Sequence, residues 1–304
     1  MSQSRHNSNA KNDSIYFQGC TEFRLDMEKP THCQVLGITS GQPGVGKTTV
    51  SVNLAVALHD MGYAVMILDA NSSYNNAQTA LGTVCPFHLG NFLNGDKSLR
   101  EIILKRRYGI NLIAGASTIE AMTTLNPSKA SRVLKQFGDM ESELDFLIVD
   151  MPPGTEQSVL SFMASTSRRI IVVRNDQAGV TDAYAMIKVL CSDFKLDEIH
   201  IIVNGVTTEA EGKKMFDVLD KISQRFLTRA LHYLGSVTHD DLIIEAGQHS
   251  LAVTEHAPTS RGARDFRQIA GKTSHLALQK FVDGGIEHFI NRLLHLHDLT
   301  TDTA

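Results

Sequence analysis

Short, largely apolar runs recur along the chain and alternate with longer segments that have helical spacing. The runs occupy residues 35–38, 64–68, 111–114, 144–149, 169–173 and 199–203. Continuous apolar runs of this length are typical of strands that are buried on both faces of a parallel sheet. Between two of the runs, Val50, Leu54 and Leu58 recur every four residues, as on one face of a helix. The alternation predicts an α/β fold, a mostly parallel sheet flanked by helices that binds its ligand at the carboxyl ends of the strands.

The first apolar run leads into a glycine-rich loop, GQPGVGKT, at residues 41–48, which fits the phosphate-loop pattern G-x-x-x-x-G-K-[ST]. The loop contains three glycines, Gly41, Gly44 and Gly46. Glycines can adopt backbone angles that point successive N–H groups at an anion, and the helix that follows adds its positive dipole end. Lys47 is expected to reach the terminal phosphates, and the hydroxyl of Thr48 to bind Mg²⁺. A strand before this loop and a helix after it predict a P-loop NTPase fold that binds a nucleotide.

Polar residues follow several of the predicted strands. Asp69 and Asp150 come directly after the runs at 64–68 and 144–149. A carboxylate at the carboxyl end of a buried strand lies where a parallel sheet binds its ligand, and Asp150 has the position of a Walker B residue that holds Mg²⁺ through water. The alternative for Asp150 is a turn aspartate at the end of a buried strand. Asn204 follows the run at 199–203, where its amide could contact a base edge or simply stabilise a turn.

Composition narrows the class of protein. The chain has 304 residues, of which 42% are hydrophobic and 20% charged, as is ordinary for a soluble globular protein. Its net charge of −4 gives no basic excess, so DNA is not an expected partner. The four cysteines lie far apart without C-x-x-C spacing and are expected to be free thiols in the cytoplasm. No run of about 18 apolar residues occurs, so we expect no transmembrane helix.

Three regions are predicted: a polar, disordered tail at 1–30, a nucleotide-binding domain at 31–275, and an amphipathic helix and tail at 276–304. In the last region, apolar side chains recur at helical spacing within residues 281–296: Val282, Ile286, Phe289, Ile290 and Leu293. Such a helix could make a weak contact with a membrane surface, or it could pack on the body or on a partner. Residues 87–107 are expected to form helices that end in a basic run at 105–107.

Several longer segments together resemble the MinD/ParA superfamily of deviant-Walker P-loop ATPases. The segments are GVGKTTVSVNLAVAL (44–58), ILDA (67–70), LDFLIVDMPPG (144–154), TDAYAMIKVL (181–190), EGKKMFDVLDKISQRFL (211–227) and ALHYLGSV (230–237). The resemblance covers about residues 33–296 and is strongest for the flagellar-number regulator branch, the FlhG/FleN type. The segments at 181–190 and 211–227 are specific to that branch, whereas the phosphate loop alone is not.

The resemblance implies a single α/β domain of the SIMIBI, MinD-like class that binds ATP with Mg²⁺, forms a face-to-face homodimer and associates with membranes through a carboxyl-terminal helix. Such proteins lie in the cytoplasm, at the inner face of the membrane or at the cell pole. Their partners are a signal-recognition-type flagellar GTPase and an activator of flagellar transcription. The residues expected to contact ligand in this chain are Gly44, Val45, Gly46, Lys47, Thr48 and Thr49 for phosphate, Thr48, Asp69 and Asp150 for Mg²⁺, and Asn204 for adenine.

Two positions depart from the family pattern. The family has a second, signature lysine early in the loop, where this chain has Gln42, and a catalytic aspartate where this chain has Asn71. A neutral amide cannot compensate developing phosphate charge, and an asparagine can orient water but is no base. The resemblance therefore predicts a nucleotide-binding regulator of flagellar number or placement, or of polar organisation, that acts through protein partners with weak or absent hydrolysis. Two alternatives stay open: an active ATPase that switches between a bound dimer and a monomer, and an interaction protein without nucleotide.

Overall fold

The computed structural model describes residues 29–70, 76–105, 109–115, 122, 125–278 and 285–301. Within them the strands form one eight-stranded sheet in the order β3-β4-β2-β5-β1-β6-β7-β8. The strands are β1 Gln34–Thr39, β2 Val65–Asp69, β3 Leu104–Lys105, β4 Asn111–Ala114, β5 Phe146–Asp150, β6 Arg168–Arg174, β7 His200–Val206 and β8 His232–Thr238. Neighbouring strands are parallel except for β3, which is antiparallel to β4. The predicted α/β fold with a mostly parallel sheet is confirmed.

Helices cover both faces of this sheet. They are α1 Lys47–Asp60, α2 Asn76–Ala80, α3 Leu89–Asn94, α4 Leu99–Ile102, α5 Pro127–Gly138, α6 Gln157–Ser165, α7 Gln177–Ser192, α8 Glu209–Leu227, α9 Asp241–Gln248, α10 Val253–His256, α11 Arg261–Leu278 and α12 Ile286–Thr301. Several begin at a polar side chain that accepts a backbone N–H of the first turn, as Asp176 does from Gly179 before α7 and Thr208 does from Glu211 before α8. The polar residues between the apolar runs therefore define where these helices start.

The central strands supply side chains to two separate cores. Along β5, Leu147 and Val149 belong to the core under α3 to α8 and α12, whereas Phe146 and Ile148 belong to the core under α1, α2 and α9 to α11. Successive strand residues point to opposite faces, so a strand covered on both sides must be apolar at every position. This explains why these strands appear in the sequence as unbroken apolar runs.

Two strands of the described sheet were not predicted. The prediction of helices at 87–107 is right for α3 and α4 but wrong at Lys105, which lies in the short strand β3. At the opposite edge, β8 begins and ends with the polar residues His232 and Thr238, and only its four middle residues are buried. Edge strands have only one sheet neighbour and can face water, so their sequences lack the continuous apolar run that identified the inner strands.

The carboxyl-terminal helix α12 packs on the body of the domain. Ile286, Phe289, Ile290 and Leu293 are at most 1% exposed and belong to the core that includes α5 and α6. The ring of Phe289 meets that of Phe162 edge to face at 5.9 Å. Glu141 accepts the backbone N–H of Ile286 at 2.6 Å and so holds the start of the helix. Of the two interpretations of this helix, packing on the body is what the structure shows for residues 286–293.

Three smaller points concern the predicted regions. Val282 and residues 1–28 lie outside the described residues. The boundary predicted at residue 275 falls within α11, which continues to Leu278. Among the helices that the structure describes, none combines the length and apolar character needed to cross a membrane.

Replacing Phe289 with alanine should destabilise the whole domain, because the change leaves a cavity between α12 and α6. The expected loss is about 3–5 kcal/mol in the free energy of unfolding, measured by urea denaturation. Glu287→Ala, on the exposed side of the same helix, is the control and should change this free energy by less than ~0.5 kcal/mol. Equal denaturation midpoints for the two variants would show that α12 does not pack on the body in solution.

Candidate functional site: a phosphate loop beside two strand-end carboxylates

The glycine-rich loop joins the end of β1 to the start of α1. Gly46, the residue before the helix, has φ +91°, and a Cβ there would lie 2.3 Å from the amide nitrogen of Asn204. A Cβ on Gly41 would lie 2.4 Å from the backbone oxygen of Asp182 in α7. Only glycine fits these positions, because one needs a left-handed backbone and the other has α7 directly against it. The loop therefore lies between α7 and β7, with its backbone next to the carboxyl ends of the strands.

Lys47, the first residue of α1, is the most unusual charge in this region. It is only 6% exposed, and it makes no ion pair or hydrogen bond with its side-chain nitrogen among the described residues. Burial lowers the pKa of Lys47, and the carboxylate of Asp150 opposes this effect. A buried ammonium is costly without a bonded counter-charge, and a phosphate group in the loop would supply one. The residues present therefore fit an anionic ligand.

Gln42 is a second group that a ligand at the loop would satisfy. Its side-chain nitrogen is buried and has no hydrogen-bond partner among the described residues, while its backbone oxygen accepts a bond from Ser40 Oγ at 2.6 Å. Buried donors are normally paired in folded proteins. A ligand oxygen beside the loop could accept this bond, although the amide brings no charge.

Asp150 forms the acidic side of the site at the end of β5. Its Oδ2 accepts a hydrogen bond from Thr48 Oγ1 at 2.7 Å, and its Oδ1 accepts one from Ser51 Oγ at 2.8 Å. Complete burial raises the pKa of Asp150, and the bonds from Thr48 and Ser51, with the charge of Lys47, oppose that rise. Two expected Mg²⁺ ligands, Thr48 and Asp150, are therefore in direct contact, with hard oxygens of the kind that Mg²⁺ prefers.

Ser51 is a site residue that the sequence reasoning missed. It lies in α1 three residues after Thr48, and side chains three apart lie on the same helix face. A hydroxyl at that spacing from the loop threonine is the signal that could have identified it.

Asp69 lies beside Asp150 on the neighbouring strand. The parallel register of β2 and β5 places the two aspartates opposite each other, and Asp69 Oδ2 accepts the backbone N–H of Ala77 at 3.2 Å. The three residues predicted for Mg²⁺, Thr48, Asp69 and Asp150, are thus brought to one edge of the sheet. Asn71, predicted at the degenerate catalytic position, lies outside the described residues.

Asn204 is placed against the phosphate loop. Its Nδ2 donates to the backbone oxygen of Val45 at 2.7 Å, and its own backbone oxygen accepts the N–H of Asn175 at 3.3 Å. The amide therefore holds the loop to the ends of β6 and β7. A contact between Asn204 and adenine stays a prediction, as do the ligand roles of the other loop residues, including Thr49 in the first turn of α1.

Comparison with known proteins identifies the family. A family model described as ParA, NUBPL iron-transfer P-loop NTPase, matches residues 32–274. The chain is 35% identical to the antiactivator FleN of Pseudomonas aeruginosa over 261 residues, 86% of this chain and 93% of FleN. It is 30% identical to the flagellum site-determining protein YlxH of Helicobacter pylori over 298 residues, 94% of this chain and 95% of that protein. The chain belongs to the ParA/MinD family of P-loop NTPases, as its sequence motifs predicted.

A solved structure of similar fold contains a bound nucleotide. The septum site-determining protein MinD of Pyrococcus horikoshii, complexed with Mg-ADP, matches with a TM-score of 0.65 and 26% identity over 81% of this chain and 97% of that chain. The family description names iron transfer; of the three cysteines that the structure describes, Cys33 and Cys191 are buried and Cys85 is partly exposed. Cys33 is buried with a raised pKa, caused first by burial. Within the described ranges, no group of three His, Cys, Asp or Glu side chains could hold a metal ion.

The raised pKa of Asp150 predicts a pH dependence of stability in the nucleotide-free protein. The carboxyl of Asp150 binds a proton more readily in the folded chain than in the unfolded chain. Its contribution to stability is therefore lost as the pH rises from 3.8, the ordinary pKa of an aspartate, through the raised pKa of Asp150 in the folded chain. The free energy of unfolding of the wild type relative to Asp150→Asn should therefore fall over that window. The expected fall is about 1.4 kcal/mol for each unit of the pKa rise. Parallel pH profiles of the two proteins in denaturant titrations would contradict it.

Proposed function

We propose that this chain binds ATP or ADP with Mg²⁺ in the phosphate loop and acts through protein partners as a MinD-like regulator of flagellar number or placement, with weak or absent hydrolysis. The observation that carries the nucleotide part is Lys47, a buried ammonium without an ion pair in the described part of the chain. In an interaction protein whose loop stays empty, the charge of Lys47 would be offset only by the nearby carboxylate of Asp150.

Nucleotide binding uses residues from three elements. The backbone N–H groups of 44–49 and the ammonium of Lys47 hold the phosphates at the start of α1. Thr48, Asp69 and Asp150 hold Mg²⁺, with Ser51 fixing the second oxygen of Asp150. Mg²⁺ held by these oxygens would neutralise part of the phosphate charge. Asn204, which donates to the carbonyl of Val45 in this structure, is the residue proposed to contact adenine.

Hydrolysis is weak in this proposal because two groups with charge are replaced by amides. Phosphoryl transfer depends on cationic groups placed where negative charge develops in the transition state. Gln42 can donate one hydrogen bond from its buried nitrogen but carries no charge. Asn71, in place of the family's aspartate, cannot accept the proton of an attacking water. Binding, by contrast, needs only the loop, Lys47 and the Mg²⁺ ligands.

The regulatory part of the proposal rests on the relatives. FleN is named an antiactivator and YlxH a flagellum site-determining protein, and both align with most of this chain. By this likeness the partners are a signal-recognition-type flagellar GTPase or a flagellar transcription activator, met in the cytoplasm, at the inner face of the membrane or at the cell pole. A homodimer formed face to face is part of the same proposal. The active ATPase switch is the alternative that the test below distinguishes.

Calorimetric titration with Mg-ATP and Mg-ADP, paired with a turnover assay on the same sample, tests the proposal. The wild type should bind nucleotide, Lys47→Ala should lose that binding, and the two should show the same background turnover. Absent binding by the wild type would establish the nucleotide-free interpretation. Turnover that disappears in Lys47→Ala would establish the active switch.

Introducing the family's lysine and aspartate at positions 42 and 71 should increase ATP hydrolysis. Gln42→Lys combined with Asn71→Asp should raise turnover at least ~10-fold over wild type, because charge compensation at the phosphate is worth several powers of ten in related enzymes. Gln42→Met combined with Asn71→Asp keeps the side-chain length at position 42 without the charge and is the matched control. Equal turnover in these two double variants would show that the amide at position 42 is not what limits hydrolysis.

A further inference from the structure

Helix α8 carries a second apolar surface that the described residues cover only in part. Its inner face, with Phe216 and Leu219, is buried against the sheet at 4% and 1% exposure. A separate stripe runs beside it, which we call the α8 stripe, formed by Met215, Val218, Ile222 and Phe226. Val218 is 49% exposed and Phe226 65%, and the spacing of three, four and four residues keeps the stripe on one side of the helix. A helix needs one apolar face to pack, so the second one needs an explanation.

The α8 stripe forms one wall of a groove. The groove lies between α7 and α8 and encloses about 590 Å³, with Val180 and Thr181 on the α7 side and Met215, Val218 and Ile222 on the α8 side. From Met215 to Phe226 the stripe extends for about 16 Å, which is the length of three helical turns. A largely apolar groove between two helices, continued by the exposed Phe226, is suited to the apolar face of a third helix.

Positive charge follows the outer edge of the groove. Lys214, Lys221 and Arg225 are exposed and lie on the side of α8 that adjoins the stripe. None of the three forms an ion pair within the described residues. The guanidinium of Arg225 lies 5.2 Å from the ring of Phe226. Because the protein as a whole has a net charge of −4, this row of cations is a local feature of α8.

The acid at the end of the groove does not neutralise that row. Glu211 accepts the backbone N–H of Thr207 and the Nδ2 of Asn175, each at 2.6 Å, and its pKa is lowered first by the bond from Thr207. Its oxygens are thus occupied in fixing the start of α8. The groove therefore offers apolar contacts along its floor and unpaired cations along one rim.

We propose that this groove binds an amphipathic helix of a protein partner that presents apolar side chains at i, i+3 or i+4 and i+7 and acidic side chains along one flank. The apolar residues fill the groove and the acids meet Lys214, Lys221 and Arg225. Complementary charge of this kind sets orientation and selects partners. The inference rests on the proposed function only because that function acts through protein partners, and it does not depend on nucleotide binding or hydrolysis.

A display library of helical 18-residue peptides, selected on the full-length protein, tests the groove without knowledge of the partner. The library should yield peptides with helically spaced apolar residues and flanking acids. A selected peptide, measured by fluorescence anisotropy, should bind Lys214→Glu/Lys221→Glu and Val218→Asp at least ~10-fold more weakly than wild type. Lys135→Glu/Lys272→Glu, which carries the same change of charge on α5 and α11, is the matched control and should bind as wild type does.

Three outcomes would overturn the inference. One is selection of peptides without acidic, helically spaced residues, and another is equal affinity of the selected peptide for the α8 variants and the control. The third is a lipid surface: flotation of wild type, but not of Lys214→Glu/Lys221→Glu, with phosphatidylcholine–phosphatidylserine vesicles. Circular dichroism and Mg-ADP titration of every variant check that the fold and the phosphate loop are intact. Lost peptide binding with retained nucleotide binding therefore separates a result about this groove from one about the proposed function.

Discussion

A lysine ammonium buried next to a buried carboxylate is the interaction on which the site depends. Lys47 and Asp150 are 6% and 0% exposed, and each is shifted by burial toward its neutral form. Such a pair persists only where surrounding groups hold the charged forms. Thr48 and Ser51 do this for Asp150 by donating one hydrogen bond each. For Lys47 the protein provides no such bond within the described residues, and a phosphate in the loop would complete the arrangement.

The rest of the sheet positions these charges. β1 leads into the loop, β5 ends at Asp150, and Asn204 at the end of β7 holds the loop by the carbonyl of Val45. These strands are parallel, so their carboxyl ends meet at one edge of the sheet. Because both of their faces are buried, the residues along each strand are apolar and the polar residues lie at the ends. In the proposed function the strand ends would bind the ligand, and the outer helices, α8 among them, would carry surfaces for partners.

Most of this arrangement could be predicted from the sequence, because buried strands and the phosphate loop have local signatures. The inner strands, the loop, Asp69 and Asp150 were located by apolar runs and the residues that end them. What escaped prediction depends on contacts between distant residues. Asn204 and Val45 are 159 positions apart, and no local pattern shows that their groups bond. The strands β3 and β8 lie at sheet edges, and the docking of α12 depends on Glu141 and Phe162, which are far from it in the sequence.

A single-turnover experiment tests most directly whether the site binds ATP and hydrolyses it only weakly or not at all. An excess of protein is incubated with Mg²⁺ and ATP labelled at the γ-phosphate, then denatured, and the released nucleotide is separated from phosphate. The account predicts that the protein-bound label is recovered as intact ATP, at the background rate of loss seen with Lys47→Ala. Label released as phosphate by the wild type, and not by Lys47→Ala, would contradict it.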